Sequence, residues 1–450
     1  MVALILSTKI VEMPIFKKLF LFLLISAAVV SCKKVESNLE GLLFKEQLKV
    51  LFPSAEISAV KVRDHFTEAY QLMLKQSLDH QDASAGTFDH YIYVSHAAYD
   101  KPTVLVTEGY NARHQTYELS KMLRANQVQV EYRFYGKSRP DSIQWQYLKN
   151  DAAVEDYHKI VTKLKRLYTN KWLSTGISKG GETVLIYKST YPKDIDVAVP
   201  YVAPLINTQE DPRTTQLINT VGTKECRDKI VQFQRAVLKN SVEVLQELKK
   251  YAAKKKVLFT KMPVEEALEH AVLEFSFSFW QWGSSCDEIP NATASSATLF
   301  DYLKKVAGFY LFSDAGIYNY LPSFYQHMTE LGYYGYDTEP VQDLLVYIKT
   351  SSLECFGPKN VALTYNAEYI KEVRNFIENK GHQILYIYGA YDPWGACAPT
   401  PKPTVDALKM VLKEGHHGTR IRHFSKSDQQ KIYAKLQDWL GSDIELFPID

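Results

Sequence analysis

Apolar positions along the chain follow two periods. Phe88 to Ser95 alternates apolar with polar residues, and Thr103 to Thr107 (TVLVT), Val128 to Phe134 (VQVEYRF), Trp172 to Thr175, Ile195 to Val202 and Ile384 to Tyr388 are short runs rich in β-branched and aromatic side chains. These predict strands, because a pleated backbone turns alternate side chains to opposite faces and a strand covered on both faces is apolar throughout. Between them the period lengthens. From Ala152 to Tyr168, Val154, Tyr157, Ile160, Val161, Leu164 and Leu167 recur at helical spacing with Lys and Arg on the other face, and Tyr117 to Leu123 and Gly180 to Tyr191 also read as helices. Residues 40 to 80 read as helical and amphipathic as well. Strands alternating with helices predict a parallel sheet covered on both faces.

The alternation stops near Asn207. From there to Lys380 long helical segments dominate: Lys229 to Lys255, Val264 to Trp282, Ala297 to Phe312 and Ala367 to Asn379. The strand-helix pattern resumes with Ile384 to Tyr388, Ala407 to Leu412 and a closing helix from Ser427 to Leu440, which Ser425 or Ser427 can cap. At 450 residues the chain exceeds the length that one core serves, about 250 to 300 residues. The expected organisation is a signal segment over 1–32, an α/β domain in two blocks, 33–206 and 381–450, and a helical lid over 207–380 inserted between its strands.

Composition narrows the function classes. With 46% hydrophobic and 23% charged residues the chain is neither disordered nor collagen-like, and 53 Lys+Arg against 51 Asp+Glu give no field for a polyanion, so no nucleic-acid partner is expected. The basic run Lys249 to Lys256 falls at a helix end, where cations offset the helix dipole. Twelve residues from Leu19 to Val30, apolar apart from Ser26, follow Lys17 and Lys18; they are too few to span a bilayer and suit a secretory signal. The segment ends in Val29-Val30-Ser31-Cys32, which resembles the lipobox of bacterial lipoproteins and implies export, lipidation at Cys32 and anchoring in the cell envelope. The four other cysteines, Cys226, Cys286, Cys355 and Cys397, permit two disulfides in three possible pairings. No Cys/His cluster has zinc spacing, so neither a metal nor a cofactor is expected.

The segment Trp172-Leu-Ser-Thr-Gly176-Ile-Ser178-Lys-Gly180-Gly181 carries the chemistry. A G-x-S-x-G between a strand and a helix is the nucleophile elbow of α/β-hydrolases: the tight turn strains the serine backbone, and a side chain on either glycine would collide with the neighbouring strand or helix. A serine hydroxyl is a weak nucleophile until a base takes its proton, so an acid and a histidine should follow in that order. Asp392 ends the run Ile384-Leu-Tyr-Ile-Tyr-Gly-Ala-Tyr-Asp392, and Gly415-His416-His417-Gly418 lies between the next strand and the last helix. Of the two histidines His417 is favoured, because Gly418 frees its loop to turn toward Ser178. The oxyanion hole is expected from two backbone N–H groups, those of Lys179 and Tyr110. The expected fold is an α/β-hydrolase fold with a large helical lid.

Glu131-Tyr-Arg133-Phe-Tyr-Gly136-Lys-Ser138-Arg-Pro140 is similar to the E-H-R-[FY]-[FY]-G-x-S segment of Pro-X carboxypeptidase and dipeptidyl peptidase II relatives. Taken with Gly176-Ile-Ser178-Lys-Gly180-Gly181-Glu-Thr, Tyr201-Val-Ala-Pro204, Phe279-Trp-Gln281 and Tyr388-Gly-x-x-Asp392-Pro-Trp-Gly395, the chain from about residue 50 to 440 resembles the secreted bacterial prolyl tri- and tetrapeptidyl aminopeptidases. It departs from them at Tyr132, where relatives often carry His, and at His416, where Asn is common. The resemblance implies Ser178, Asp392 and His417 as nucleophile, acid and base. It also implies release of tripeptides or tetrapeptides from free N-termini with a preference for proline. Such an exopeptidase needs an enclosed pocket and a carboxylate for the substrate ammonium. Glu108, Glu131, Glu182 and Glu274 are the candidates, and Phe277 or Trp280, from the aromatic run Glu274 to Trp282, could line the cleft. Glu131 and Arg133 also suit a structural role, paired with each other or with neighbours. Two other readings stay open: an esterase or other acyl hydrolase on the same fold, and a lipid-anchored binding protein with a degenerate site.

Overall fold

The computed structural model describes residues 39–350 and 352–449, so the signal segment and Cys32 lie outside the described residues. The chain falls into two units, Met1–Val50 and Leu51–Asp450. One helix, α1 (Phe44–Leu51), starts in the first.

The second unit is built on a nine-stranded sheet of order β1-β2-β3-β5-β4-β6-β7-β8-β9. Its strands are β1 (Glu56–Ala59), β2 (Glu68–Ser77), β3 (Thr87–His96), β4 (Thr103–Thr107), β5 (Asn126–Val130), β6 (Trp172–Ile177), β7 (Val197–Tyr201), β8 (Ile384–Gly389) and β9 (Ala407–Leu412). The pairs β1–β2, β2–β3 and β3–β5 are antiparallel, and every pair from β5 onward is parallel. Strands β4 to β8 are buried on both faces; β7 and β8 accordingly run almost continuously apolar, whereas β5 buries Asn126, Gln127 and Gln129 with their amides hydrogen-bonded to loop carbonyls. On one face, Val104, Val106, Leu173, Val197, Val199, Leu385 and Ile387 pack with Leu119 and Met122 of α2 (Glu118–Leu123) and with Ile432, Leu436 and Trp439 of the closing helix. Helices α3 (Asn150–Leu164) and α4 (Lys179–Thr190) pack against each other, and α4 lies on β6 and β7.

Between β7 and β8 come α5 (Pro212–Ile218), α6 (Lys224–Lys239), α7 (Ser241–Lys255), α8 (Val264–Gln281), α9 (Ser296–Val306), α10 (Asp314–Gln326) and α11 (Ala367–Lys380). They enclose a core of their own, in which Phe233, Val237, Leu248, Phe275, Phe279, Leu303 and Phe312 are buried together. The disulfide Cys226–Cys286 ties the start of α6 to the turn after α8, while Cys355 and Cys397 remain thiols. Helix α12 (Lys426–Leu440) closes the chain, and the Ser425 hydroxyl caps it by accepting from the Asp428 amide at 3.2 Å.

Three expectations need correction. Residues 40 to 80 are not one helical stretch. After α1 the chain forms β1 and β2, because β2 pairs with β3 along its whole length and buries alternate residues, Leu72, Leu74 and Gln76, a period of two that a short window does not separate from a helical one. The VQVEYRF run leaves the sheet at Val130, since the chain turns sharply through Phe134 at φ 68°. Lys229 to Lys255 is two helices, broken at Asn240, whose side-chain amide donates back to the Ala236 carbonyl at 2.8 Å. Helix α11, the last helix of the 207–380 segment, packs on α4 and on the turn His327–Leu331. In addition, α10, which contains Pro322, follows the expected Ala297 to Phe312 helix, itself ending at Val306.

Candidate active site

The elbow follows from sterics. Strand β6 ends at Ile177, Ser178 adopts φ 58° and ψ −126°, and α4 begins at the next residue. A side chain on Gly180 would meet the Thr107 carbonyl at 2.5 Å, and one on Gly176 would meet the same carbonyl at 2.7 Å, so both positions must be glycine for the turn to lie against β4. The Ser178 amide donates to the Tyr201 carbonyl and its own carbonyl accepts from the Glu182 amide, each at 2.9 Å. A serine held at positive φ from both sides keeps its hydroxyl clear of the helix.

Asp392 and His417 come together at the carboxyl ends of β8 and β9. Asp392 is fully buried: one oxygen accepts from the Trp394 amide at 3.2 Å, and the other is 2.7 Å from His417 Nδ1. That contact leaves Nε2 as the nitrogen available to a substrate or hydroxyl. His416 is turned elsewhere, its Nδ1 accepting from the Gly418 amide at 3.0 Å and its ring lying against Gly283. The His417 amide donates to the Gln281 carbonyl at the end of α8 at 2.9 Å, and the Trp282 ring stands edge-on to the imidazole, centroids 5.6 Å apart.

Ser178 and His417 both face a cavity of about 660 Å³, whose lining includes Tyr110, Glu274, Ser278, Trp282, Tyr333 and Trp394. The loop that carries Tyr110 runs against the start of α4: a Cβ on Gly109 would lie 2.6 Å from the Gly180 nitrogen.

The four candidate acids separate. Glu108 is turned into the protein, accepting from Tyr117 Oη at 2.5 Å and Gln129 Nε2 at 2.6 Å, and burial pushes its carboxyl up to about 7. Glu131 fastens two loops, accepting from the Ala112 amide at 3.0 Å and from the Ser138 amide and hydroxyl at 2.7 Å each. Arg133 pairs not with Glu131 but with Asp156, through Nε at 2.7 Å and Nη2 at 2.9 Å. Glu182 borders only a void of about 10 Å³ beside Ser178 and Lys179; burial pushes its carboxyl up to about 8 and the Lys179 ammonium down to about 7. Lys179 Nζ lies 3.5 Å from the centroid of Tyr132, so the tyrosine offers the cation a ring face. Glu274 lines the large cavity. It accepts from Ser278 Oγ at 2.6 Å and Tyr334 Oη at 2.5 Å, and burial pushes it up to about 7.

The two aromatic candidates belong to the core. Phe277 stacks on Tyr334 with centroids 3.8 Å apart, and Trp280 packs edge-on against Tyr391 at 5.4 Å and over Gly222; neither lines the cavity. The physical reason is the helix itself. Glu274, Ser278 and Gln281, at i, i+4 and i+7, face the cavity; Trp280 falls off that face, and Phe277, at its edge, is covered by Tyr334. Sequence reasoning missed Trp282, Tyr333 and Trp394 as cavity residues.

Prolyl tri/tetrapeptidyl aminopeptidase of Streptomyces mobaraensis is 29% identical to this chain over 382 residues, covering 82% of this chain and 79% of that protein. Among solved structures, proline iminopeptidase of Mycobacterium smegmatis is 10% identical, with 85% of this chain and 97% of that one covered and a TM-score of 0.38. An α/β fold family hydrolase of Bacillus anthracis str. Sterne is 13% identical, with 86% and 99% covered and a TM-score of 0.31. At those scores neither structure carries an argument about this chain. The profile of the PS-10 peptidase S37 family matches residues 54–445, the whole sheet and the insertion included, and on that match the chain belongs to the family and is a serine peptidase.

Proposed function

We propose that this peptidase releases tripeptides or tetrapeptides from free N-termini, with proline preceding the cleaved bond. The observation that carries the reading is the cavity of about 660 Å³ that Ser178 and His417 share with a single buried carboxylate, Glu274. Its volume lies in the range of about 300 to 1,000 Å³ that suits a short ligand. Glu274 would take the substrate ammonium, and the aromatic faces of Tyr333 and Trp394 would take a proline ring. The name of the Streptomyces mobaraensis relative supports the same length and residue preference.

In the proposed reaction Ser178 Oγ attacks the scissile carbonyl while His417 Nε2 takes its proton. Asp392 holds the imidazole through Nδ1 and stabilises the imidazolium. The Lys179 and Tyr110 amides would donate to the oxyanion, each such donor supplying about 3 kcal/mol. His417 then protonates the leaving amine, and water hydrolyses the acyl-enzyme by the same path in reverse.

Tripeptidyl anilides ending in proline, with free and with acetylated N-termini, test this against nitrophenyl esters. Rapid turnover of the free-amine anilide is expected, and ester hydrolysis without peptide release would overturn the reading. We also propose export and lipid anchoring through Cys32, which lies outside the described residues. Cys32→Ser should then leave the membrane fraction, and retention there would refute it.

A further inference from the structure

We propose that Glu266, His270 and Cys355 form a site for one borderline divalent transition ion of the zinc type, away from Ser178 and within the helical insertion. Glu266 and His270 sit one turn apart on the same face of α8, and Cys355 comes from the short turn Glu354–Phe356. His270 Nε2 lies 3.7 Å from Cys355 Sγ and 3.7 Å from Glu266 Oε1, and all three ligand atoms fall within 4.8 Å of one another. Zinc bonds of about 2.0 to 2.3 Å in tetrahedral geometry hold N, O and S ligand atoms roughly 3.3 to 3.6 Å apart, so small side-chain rotations suffice.

A thiol-to-imidazole hydrogen bond would account for Cys355 and His270 alone. It leaves Glu266 unexplained, a carboxylate facing the same nitrogen beyond hydrogen-bond reach. His270 is only 2% exposed, its ring stacks on Phe312 at 5.5 Å, and its Nδ1 has no partner. What points to a ligand is Nε2, which a buried ring aims at a thiol and a carboxylate together. The charges agree as well: thiolate, carboxylate and neutral imidazole sum to two negative charges, which a divalent ion cancels as the thiol proton leaves to solvent. Glu266 is 30% exposed, so ion and water have an entry path and a fourth ligand position.

The surroundings give the ion a task. Among the described residues, the stretch from Glu339 to Phe356 has only 3-10 turns as regular structure. Glu269, next to His270, already holds it by accepting from the Val346, Tyr347 and Ile348 amides at 2.6, 2.9 and 2.8 Å. A metal on Cys355 would fasten the same stretch to α8 at a second point. The sequence separation of 85 between His270 and Cys355 hides the site from spacing arguments.

The test uses the full chain, stripped with a chelator and titrated with Co²⁺. One equivalent should give a thiolate-to-cobalt absorption band, raise the melting temperature and be displaced by Zn²⁺. Cys355→Ser should abolish the band, and Glu266→Gln, at a half-exposed position that tolerates the change, should weaken binding by roughly 10- to 100-fold. Cys397→Ser, which removes the other thiol among the described residues, should leave the band intact, as should Cys32→Ser. A wild-type chain without the band, or a band that survives Cys355→Ser, overturns the proposal.

Discussion

Glu274→Gln keeps the size and one acceptor oxygen of the side chain and removes its charge. Burial holds the Glu274 carboxyl at about 7, against 4.5 for a free one, despite hydrogen bonds from Ser278 and Tyr334. Folding therefore retains a proton that the unfolded chain loses between pH 4.5 and about 7, and stability falls across that window. By pH 8 the loss reaches about 3 kcal/mol. Glutamine carries no such penalty, so the variant should melt higher than wild type at pH 8 and show little difference at pH 4. Catalysis should move the other way. A charge-assisted hydrogen bond to a buried partner contributes about 1.5 to 3 kcal/mol, so kcat/KM for a free-amine tripeptidyl anilide should fall roughly 10- to 150-fold, with little change for the acetylated anilide. The ratio of the two substrates cancels effects that both substrates share. In wild type that ratio should drop about tenfold per pH unit as Glu274 protonates below about 7, while the variant should be flat. An unchanged ratio in the variant would refute Glu274 as the amine partner whatever happens to stability.

Three further outcomes test the rest of the site and fold. Asp392→Asn should lower kcat by about 10⁴ without unfolding the chain, as should His417→Ala, whereas His416→Ala should remain within a fewfold of wild type in a steady-state assay. Trp280→Ala should destabilise by about 3 to 5 kcal/mol in denaturant melts and leave KM of the folded fraction unchanged, because its ring fills core rather than cavity. Replacing both Cys226 and Cys286 with Ser opens a loop with a sequence separation of 60 and should remove about 4 kcal/mol of stability, with the midpoint of chemical unfolding as the readout.

How much of this was legible in the sequence depended on how local the determinant is. Ser178 is specified by the glycines flanking it, and the Asp392 and His417 segments each follow a recognisable strand. The aromatic positions were not legible, because choosing between Phe277 and Trp282 requires knowing which side of α8 meets the sheet domain. Glu274 could not be separated from Glu108, Glu131 and Glu182 for a similar reason. Three of the four find hydrogen-bond donors once the chain is folded, and only their position relative to the cavity sorts them. Strand β2 was missed because its evidence is its partner: alternate burial appears only when β3 lies beside it.

The hydrogen bond from the His417 amide to the Gln281 carbonyl makes the C-terminal end of α8 a mechanical support for the base loop. The same helix carries Glu274 two turns earlier. Swinging α8 outward to admit a peptide would withdraw the amine anchor and loosen the loop that holds the imidazole at once. On the proposed mechanism an open insertion would be idle, and proton transfer would need the helix seated over the bound peptide. Long chains that hold the helix away would be spared by geometry, with no need for a residue that rejects them.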